Sequence, residues 1–326
     1  MDFVNERLPM MMQRSHFIKG LAFASAAIAS PISVSAQSAS TLRIATTPVQ
    51  FYAEPYFGAD AGAFSKVGYE LAITPVANGP AVTSAMVGGS VDLGVIDLIT
   101  AASALAKGLP LQLLASGAIY RAAEAWQIIT VAKDSPLRTA RDLEGRTIAL
   151  PSVAGLALAS TRGWLRKNGA DPEKVHFVEY PQPTMAAALT RKTFDAAFIG
   201  EPYLAMDRNG SNEMRVFGHP LDSIGKDFTV TGWFSTRAWF DQDKRRAKAV
   251  IDAIYETARW ANAHRTETAS IIAQQSSLDP AKISGMIRCD YATSLDVGQL
   301  QPMFTSGFND KLIPATDAGT LVPKLT

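Results

Sequence analysis

The strongest constraint in this sequence is an internal repeat. Glu70–Thr100, ELAITPVANGPAVTSAMVGGSVDLGVIDLIT, reads as strand, loop, helix, turn, strand, loop and the start of another helix. Val175–Met206, VHFVEYPQPTMAAALTRKTFDAAFIGEPYLAM, repeats the plan. Leu71 matches Val175 and Val76 matches Tyr180 at an offset of 104, and Asp92 matches Asp195 at 103. Upstream, Ile44 in Leu42–Ala45 matches Ile148 in Thr147–Leu150, again at 104. Two copies are too few for a solenoid. Strands alternating with helices in each copy predict two similar α/β lobes that face each other.

Local chemistry supports the plan. Leu71, Ile73 and Val76 have the apolar, partly β-branched character of a buried strand. Asn78-Gly79-Pro80 stops it and opens a helix, with Asn78 able to cap free N–H groups and Pro80 tolerated in the first turn. Gly88-Gly89-Ser90 ends that helix before the strand Val91–Ile96. The loops Ala77–Pro80 and Asp97–Ile99 thus leave one sheet edge, each opening a helix N-terminus. Around this centre the spacing predicts a strand over Thr41–Ala45 and a helix from Phe51 or Ala53 to Lys66. It predicts further helices over Leu98–Lys107, Lys244–His264, Ser270–Gln275 and Pro280–Ile287. Two β-rich runs, Trp126–Ala132 and Phe228–Ser235, read as crossings between the lobes. The expected division is therefore 37–128 with 234–326 as a discontinuous lobe 1, and 129–233 as lobe 2, with the C-terminal helices packed on lobe 1.

Length and composition fit this reading: 326 residues, 47% hydrophobic, formal net charge +1. Residues 1–36 read as a signal peptide, with Arg14 and Lys19 before the apolar Gly20–Ser30 and a small-residue cleavage site at Val34-Ser35-Ala36. Gln13-Arg14-Ser15-His16-Phe17-Ile18-Lys19 resembles a twin-arginine export motif whose second arginine is Ser15, which leaves the route open. Residues 1–9, before Met10-Met11-Met12, are expected to precede the true start. The product is expected to be periplasmic. Cleavage leaves equal numbers of acidic and basic residues, so no field of one sign favours nucleic acid. Cys289, with no partner for an internal disulfide, reads as a structural cysteine near the surface.

Three segments carry a resemblance: Asp60-Ala61-Gly62-Ala63-Phe64-Ser65-Lys66-Val67-Gly68, Gly88-Gly89-Ser90-Val91-Asp92-Leu93-Gly94-Val95, and Phe194-Asp195-Ala196-Ala197-Phe198-Ile199-Gly200-Glu201-Pro202. Ala258-Arg259-Trp260-Ala261-Asn262 also fits. In this order the chain resembles the substrate-binding proteins of bacterial ABC importers. It is most similar to the nitrate, sulfonate and taurine group, which includes binders of thiamine-precursor pyrimidines. The resemblance implies a two-lobed type II periplasmic-binding fold joined by two crossings. It also implies a monomer without cofactor, a small ligand between the lobes, and delivery to a membrane permease.

Candidate ligand contacts follow from the loops. Thr46 and Thr47 end the first strand, either facing the cleft or simply capping a turn. Gln50, Phe51 and Tyr52 begin the next helix, where two adjacent rings cannot share one face, so one of them is expected to line the cleft. Asn78, Gly79 and Pro80 form the strongest loop, because glycine admits close backbone approach and a helix N-terminus favours negative charge. Ser152-Val153-Ala154-Gly155 occupies the equivalent lobe 2 position and resembles the family's anion-facing loop, although many relatives have Gly-Ser there. Asp97 and Glu201 follow matching strands and read either as helix caps or as cleft groups. Trp126 and Trp233 lie at the crossings, where at least one is expected to be exposed to the cleft.

Magnitude limits the ligand chemistry. One helix N-terminus stabilises an anion by about 0.3–1 kcal/mol, up to ~2 when partly buried. Two or three such ends fall short of the ~8 kcal/mol that micromolar binding needs. Arginine is sparse near these loops, with Arg121 nearby in sequence and Arg162 inside a helix. The expected ligand is a small organic molecule with a sulfonate- or carboxylate-type or polar end and a flat or apolar body.

The same architecture hosts enzymes, so fold does not settle function. A related pyrimidine synthase carries a cysteine-rich motif, which the lone Cys289 excludes. His176, His219 and His264 lack zinc-ligand spacing, and no nucleophile elbow, P-loop or dinucleotide fingerprint is present. The reading is of a non-enzyme without catalytic or metal-binding residues. Its alternatives are an Asp97–Glu201 acid–base pair or a sensor that presents its ligand to a receptor.

Overall fold

The computed structural model describes residues 39–325. The expected signal peptide, export motif and start lie outside the described residues. The chain begins β1 (Ser40–Thr46), α1 (Glu54–Ala61), α2 (Ala63–Lys66), β2 (Tyr69–Pro75), α3 (Gly79–Val87), β3 (Leu93–Asp97), α4 (Leu98–Ala106) and β4 (Leu111–Ser116). Then follow β5 (Ala118–Arg121), β6 (Gln127–Ala132), β7 (Thr147–Leu150), α5 (Gly155–Lys167), β8 (His176–Glu179), α6 (Gln182–Thr190), β9 (Ala196–Gly200), α7 (Tyr203–Arg208) and β10 (Met214–Gly218). The remainder is β11 (Asp227–Thr229), β12 (Thr231–Thr236), α8 (Arg237–Gln242), α9 (Lys244–Ala263), α10 (Arg265–Gln275), β13 (Asp290–Tyr291) and α11 (Val297–Asn309).

Two five-stranded sheets result, in the orders β2-β1-β3-β12-β4 and β8-β7-β9-β6-β10. They have one topology, and their registers reproduce the sequence offset. Ile44 pairs in parallel with Ile73 and Leu93, while Ile148 pairs in parallel with Phe177 and Ala196. In each sheet the antiparallel neighbour of the third strand, β12 or β6, arrives from outside the repeat. The repeated aspartates explain themselves here. Asp92 accepts from the Arg43 N–H at 2.9 Å and Asp195 from the Thr147 N–H at 2.9 Å, each tying its turn to the first strand of its copy.

β3, β4 and β9 are buried along their whole length, as expected of strands covered on both faces. The apolar face of α9 is buried at Ala247, Val250, Ile251, Ile254, Ala258 and Ala261, and packs on α1, α2 and β4. Behind it, Trp233 on β12 is fully buried and donates its Nε1–H to Glu54 Oε2 at 2.7 Å.

Several expectations need correction. The helix expected up to Lys66 breaks at Gly62, whose φ of 66° is left-handed and redirects the chain into α2. Pro280–Ile287 forms turns rather than a helix. The chain passes between the sheets at residues 117–126 and 219–230, where β5 and β11 pair in a small sheet with β13. The divisions expected after 128 and after 233 therefore fall inside β6 and β12. α11 does not pack on the first lobe alone, since it touches both α4 and α5. Cys289 is buried, not near the surface, and burial pushes its thiol up to about 11, which keeps it unreactive.

Candidate functional site

The carboxyl ends of all six matched parallel strands, with the loops and helix starts that follow them, converge on one cavity of ≈ 580 Å³. That is where open α/β sheets place ligands, and the volume suits a small organic molecule. After β1 come Thr47, Pro48 and Val49, then Phe51 and Tyr52; after β2, Val76 to Pro80; after β3, Asp97 and Thr100. The second sheet contributes Pro151, Ser152 and Ala154 after β7, and Tyr180 to Pro183 after β8. Phe198 on β9 and Tyr203 on α7 close its wall.

Phe51 and Tyr52, of which the sequence expectation asked for at least one, both line the cavity. Gln50–Tyr52 is a tight three-residue-per-turn helix, not part of a longer α-helix; successive side chains diverge there by about 120° rather than about 100°, and both rings still reach the opening. Their centroids lie 4.3 Å apart, and Phe51 stacks at 4.9 Å on Trp126. Trp126 is thus corrected from cleft residue to backing: it is fully buried behind Phe51. Trp233 is likewise corrected, being buried against Glu54. Gln50 faces the other way, donating from Nε2 to Ile287 O at 2.8 Å and accepting from the Cys289 N–H at 3.2 Å. Thr46 is fully buried and donates to Tyr52 O at 2.6 Å, which braces the aromatic turn.

Thr47 differs from its neighbour. It lines the cavity, and its buried Oγ1 has no hydrogen-bond partner. Asn78 caps α3 by accepting from the Ala81 N–H at 3.1 Å, and its Nδ2 donates across the mouth to Glu179 Oε1 at 3.1 Å. Ser152 and Ala154 reach the cavity, whereas Val153 is exposed and Gly155 lies behind the lining. Glu201 caps its helix and faces away: Oε2 accepts from the Ala205 N–H at 2.9 Å, and Oε1 from Arg208 at 2.7 Å and the Ile287 N–H at 3.2 Å. An acid–base pair of Asp97 with Glu201 across the cleft is therefore not formed.

Asp97 joins the two rims. Its Oδ1 accepts from the Thr100 N–H at 2.9 Å, capping α4, and from the Leu156 N–H at 3.1 Å, at the start of α5 in the other lobe. Its Oδ2 accepts from Thr100 Oγ1 at 2.6 Å and, weakly, from the Tyr52 hydroxyl at 3.4 Å. Burial pushes this carboxyl up from its ordinary range despite those donors. Burial, then the Asp97 charge, pushes the Tyr52 phenol up as well. Gly155 permits the approach: its φ is +65°, and a Cβ there would stand 2.2 Å from Thr100 Oγ1 and 3.0 Å from both Asp97 oxygens. Gly155→Ala is expected to separate the rims at a cost of about 1–3 kcal/mol and to weaken ligand binding about tenfold. Titration calorimetry on the variant checks this, and unchanged affinity would remove the rim contact from the binding event.

Outside the cavity, Asp310 beside α11 accepts from Arg162 at 3.3 Å and Arg166 at 2.7 Å on α5, and Asn209 donates to Lys282 O and Ser284 O. The C-terminal segment thus ties both lobes, a link beyond the two crossings. Arg121 pairs with Asp227 and Asp290 instead of facing the cavity. Among the described residues that line it there is no lysine or arginine. Among the described residues no group of histidine, cysteine and acidic side chains could hold a metal ion, and no helix is long and apolar enough to cross a membrane.

Sequence reasoning missed Tyr180, Phe198, Tyr203 and Thr100 as lining residues. The repeat held the signal for Tyr180, which lies one offset from Val76.

Two lobes of one topology with the cavity between their strand ends define a type II periplasmic-binding fold. The chain belongs to the NMT1/THI5-like family, whose profile matches residues 51–268. It is 24% identical over 129 residues to the nitrate/nitrite binding protein NrtA of Nostoc sp. PCC 7120, a match that spans 39% of this chain and only 29% of that protein. It superposes on the alkanesulfonate-binding protein SsuA of Xanthomonas axonopodis pv. citri, bound to MOPS, with a TM-score of 0.69. That match has 20% identity and covers 87% of this chain and 98% of that one. The desulfurization enzyme DSZB shares the fold at a TM-score of 0.62 and 15% identity, over 87% of this chain and 97% of that one. Binding proteins and an enzyme thus share this architecture, and at these identities the structural likeness speaks for the fold alone.

Proposed function

We propose that the protein is the periplasmic, monomeric substrate-binding component of an ABC importer, which captures a small organic ligand between its lobes and hands it to a membrane permease. The observation that supports this best is the one cavity that the carboxyl ends of all six matched strands, with the segments following them, line together. Bridges such as Asp97 to the Leu156 N–H couple the rims, so a ligand that touches both favours the closed arrangement by its differential affinity. The ligand has a flat, apolar body that rests against Phe51, Tyr52 and Tyr180. We assign no turnover: the carboxylate suited to a partner for Asp97 is engaged as a helix cap.

A thermal-shift screen against alkanesulfonates, aromatic carboxylates, pyrimidines and inorganic oxyanions, with native mass spectrometry of the gently purified protein, tests capture. Chemical conversion of a bound compound would overturn the binding-protein reading. Tyr180→Ala tests the cavity. Tyr180 is half-buried and packs edge-on against Phe194 at 5.2 Å, so affinity is compared well below the variant's melting temperature, and loss of its apolar contact is expected to weaken a hit by about ten- to a hundredfold. Equal affinity in calorimetry would place the ligand elsewhere.

A further inference from the structure

We propose that Asp97 is the residue that sets the charge of the ligand, excluding anions from this cleft and selecting a compound that presents an N–H donor. The inference rests on the capture reading above and specifies its chemistry.

A helix N-terminus at a cavity ordinarily favours a negative charge. Here α5 starts at the cavity, and its N-cap residue, Ala154, has no side chain able to cap it. The position is filled from the opposite lobe by the Asp97 carboxylate, which accepts from the Leu156 N–H at 3.1 Å. A ligand anion aimed at α5 would have to displace Asp97 or lie beside it in a buried space, where two like charges raise each other's energy steeply. The N-termini of α3 and α6, which also reach the lining, offer partial charges only, and no full positive charge offsets that repulsion. Among the described lining residues there is no lysine or arginine, while Glu179 adds a second carboxylate at the mouth.

The same carboxylate retains capacity toward the cavity. A carboxylate offers about four acceptor positions. Three are taken at 3.1 Å or less, by the Thr100 N–H, Thr100 Oγ1 and the Leu156 N–H. The fourth meets only the Tyr52 hydroxyl at 3.4 Å, a long contact that a ligand N–H can replace. Gly155 and Gly79 leave room for this arrangement, since a Cβ at either would press on Asp97 or Thr100.

Three flat probes of nearly equal shape test the proposal: benzoate (anionic), benzamide (neutral, with N–H donors) and benzamidine (cationic, with N–H donors). Each is titrated calorimetrically into the purified wild-type protein and Asp97→Asn, which keeps an acceptor for the cap and removes the charge. The wild type is expected to bind benzamidine most tightly, then benzamide, with benzoate weaker than benzamidine by about tenfold or more. Asp97→Asn is expected to narrow or reverse that gap by weakening benzamidine about tenfold and strengthening benzoate. Asp97→Ser, also a good helix cap, stands in if the first variant melts early. Benzoate binding the wild type as tightly as benzamidine overturns the proposal, as does an unchanged order in the variants. Binding of none of the three to any of these proteins also overturns it. In that case capture itself is judged separately, by the ligand screen and native mass spectrometry.

Discussion

Replacing Trp233 with alanine is expected to lower folding stability by about 3–5 kcal/mol and to leave the cavity chemistry unchanged. The sequence, which places Trp233 at a crossing, leads to the opposite expectation of weaker binding without loss of stability. The structure reverses it. Trp233 is fully buried, on a strand flanked by β3 and β4, with its ring 6.1 Å from that of Phe64. Its removal leaves a cavity the size of an indole and takes from Glu54 the only hydrogen-bond donor it has among the described residues. Urea unfolding followed by circular dichroism checks the loss, and ligand titration well below the melting temperature checks the site. Trp233→Phe is expected to recover part of the packing but not the hydrogen bond. A loss under about 1 kcal/mol for the alanine variant would contradict the burial argument.

Glu54 is expected to make the protein less stable as pH rises from acid to alkaline. Burial pushes its carboxyl up to about 8 from an ordinary 4.5, with the Trp233 hydrogen bond pulling the other way. The folded chain therefore holds this proton more tightly than the unfolded chain does, so unfolding releases it between those two values. Stability is unaffected by this group below pH 4.5, falls as pH rises toward 8, and is level above that. The full change is on the order of 5 kcal/mol, at about 1.4 kcal/mol per unit. Other groups superpose their own slopes, so the informative quantity is the difference between wild type and Glu54→Gln. The variant keeps an acceptor for Trp233 Nε1 and carries no charge. It is expected to match the wild type near pH 5 and exceed it by several kcal/mol at pH 9. Parallel unfolding profiles across that range would mean that Glu54 is ionised in the folded protein at neutral pH.

Much of the architecture was legible in the chain because it is written in local chemistry. Alternating strand and helix patterns, Asn78 ahead of Pro80, and the matched Asp92 and Asp195 all appear in the structure where the repeat places them. Asn78, Gly79, Pro80, Phe51, Tyr52, Thr47, Asp97, Ser152 and Ala154 do come together at one cavity. Gln50, Thr46, Trp126, Glu201 and Trp233 do not, although they are neighbours in sequence or in repeat position of residues that do.

Periodicity and capping act within a few residues, so the amino-acid sequence alone determined the two modules, the succession of strands and helices within each and the loops at their rims. Which way a side chain points from a turn, and what meets it from the other lobe, depends on packing between segments a hundred or more residues apart. Only the tertiary structure decided that Gln50 is claimed by the Ile287–Cys289 strip, that Trp233 serves the core, and that the Asp97 carboxylate stands at the start of α5. Burial and unpaired polar atoms raise the energy only once the lobes have closed on one another, and that is where the identity of each cleft residue is settled.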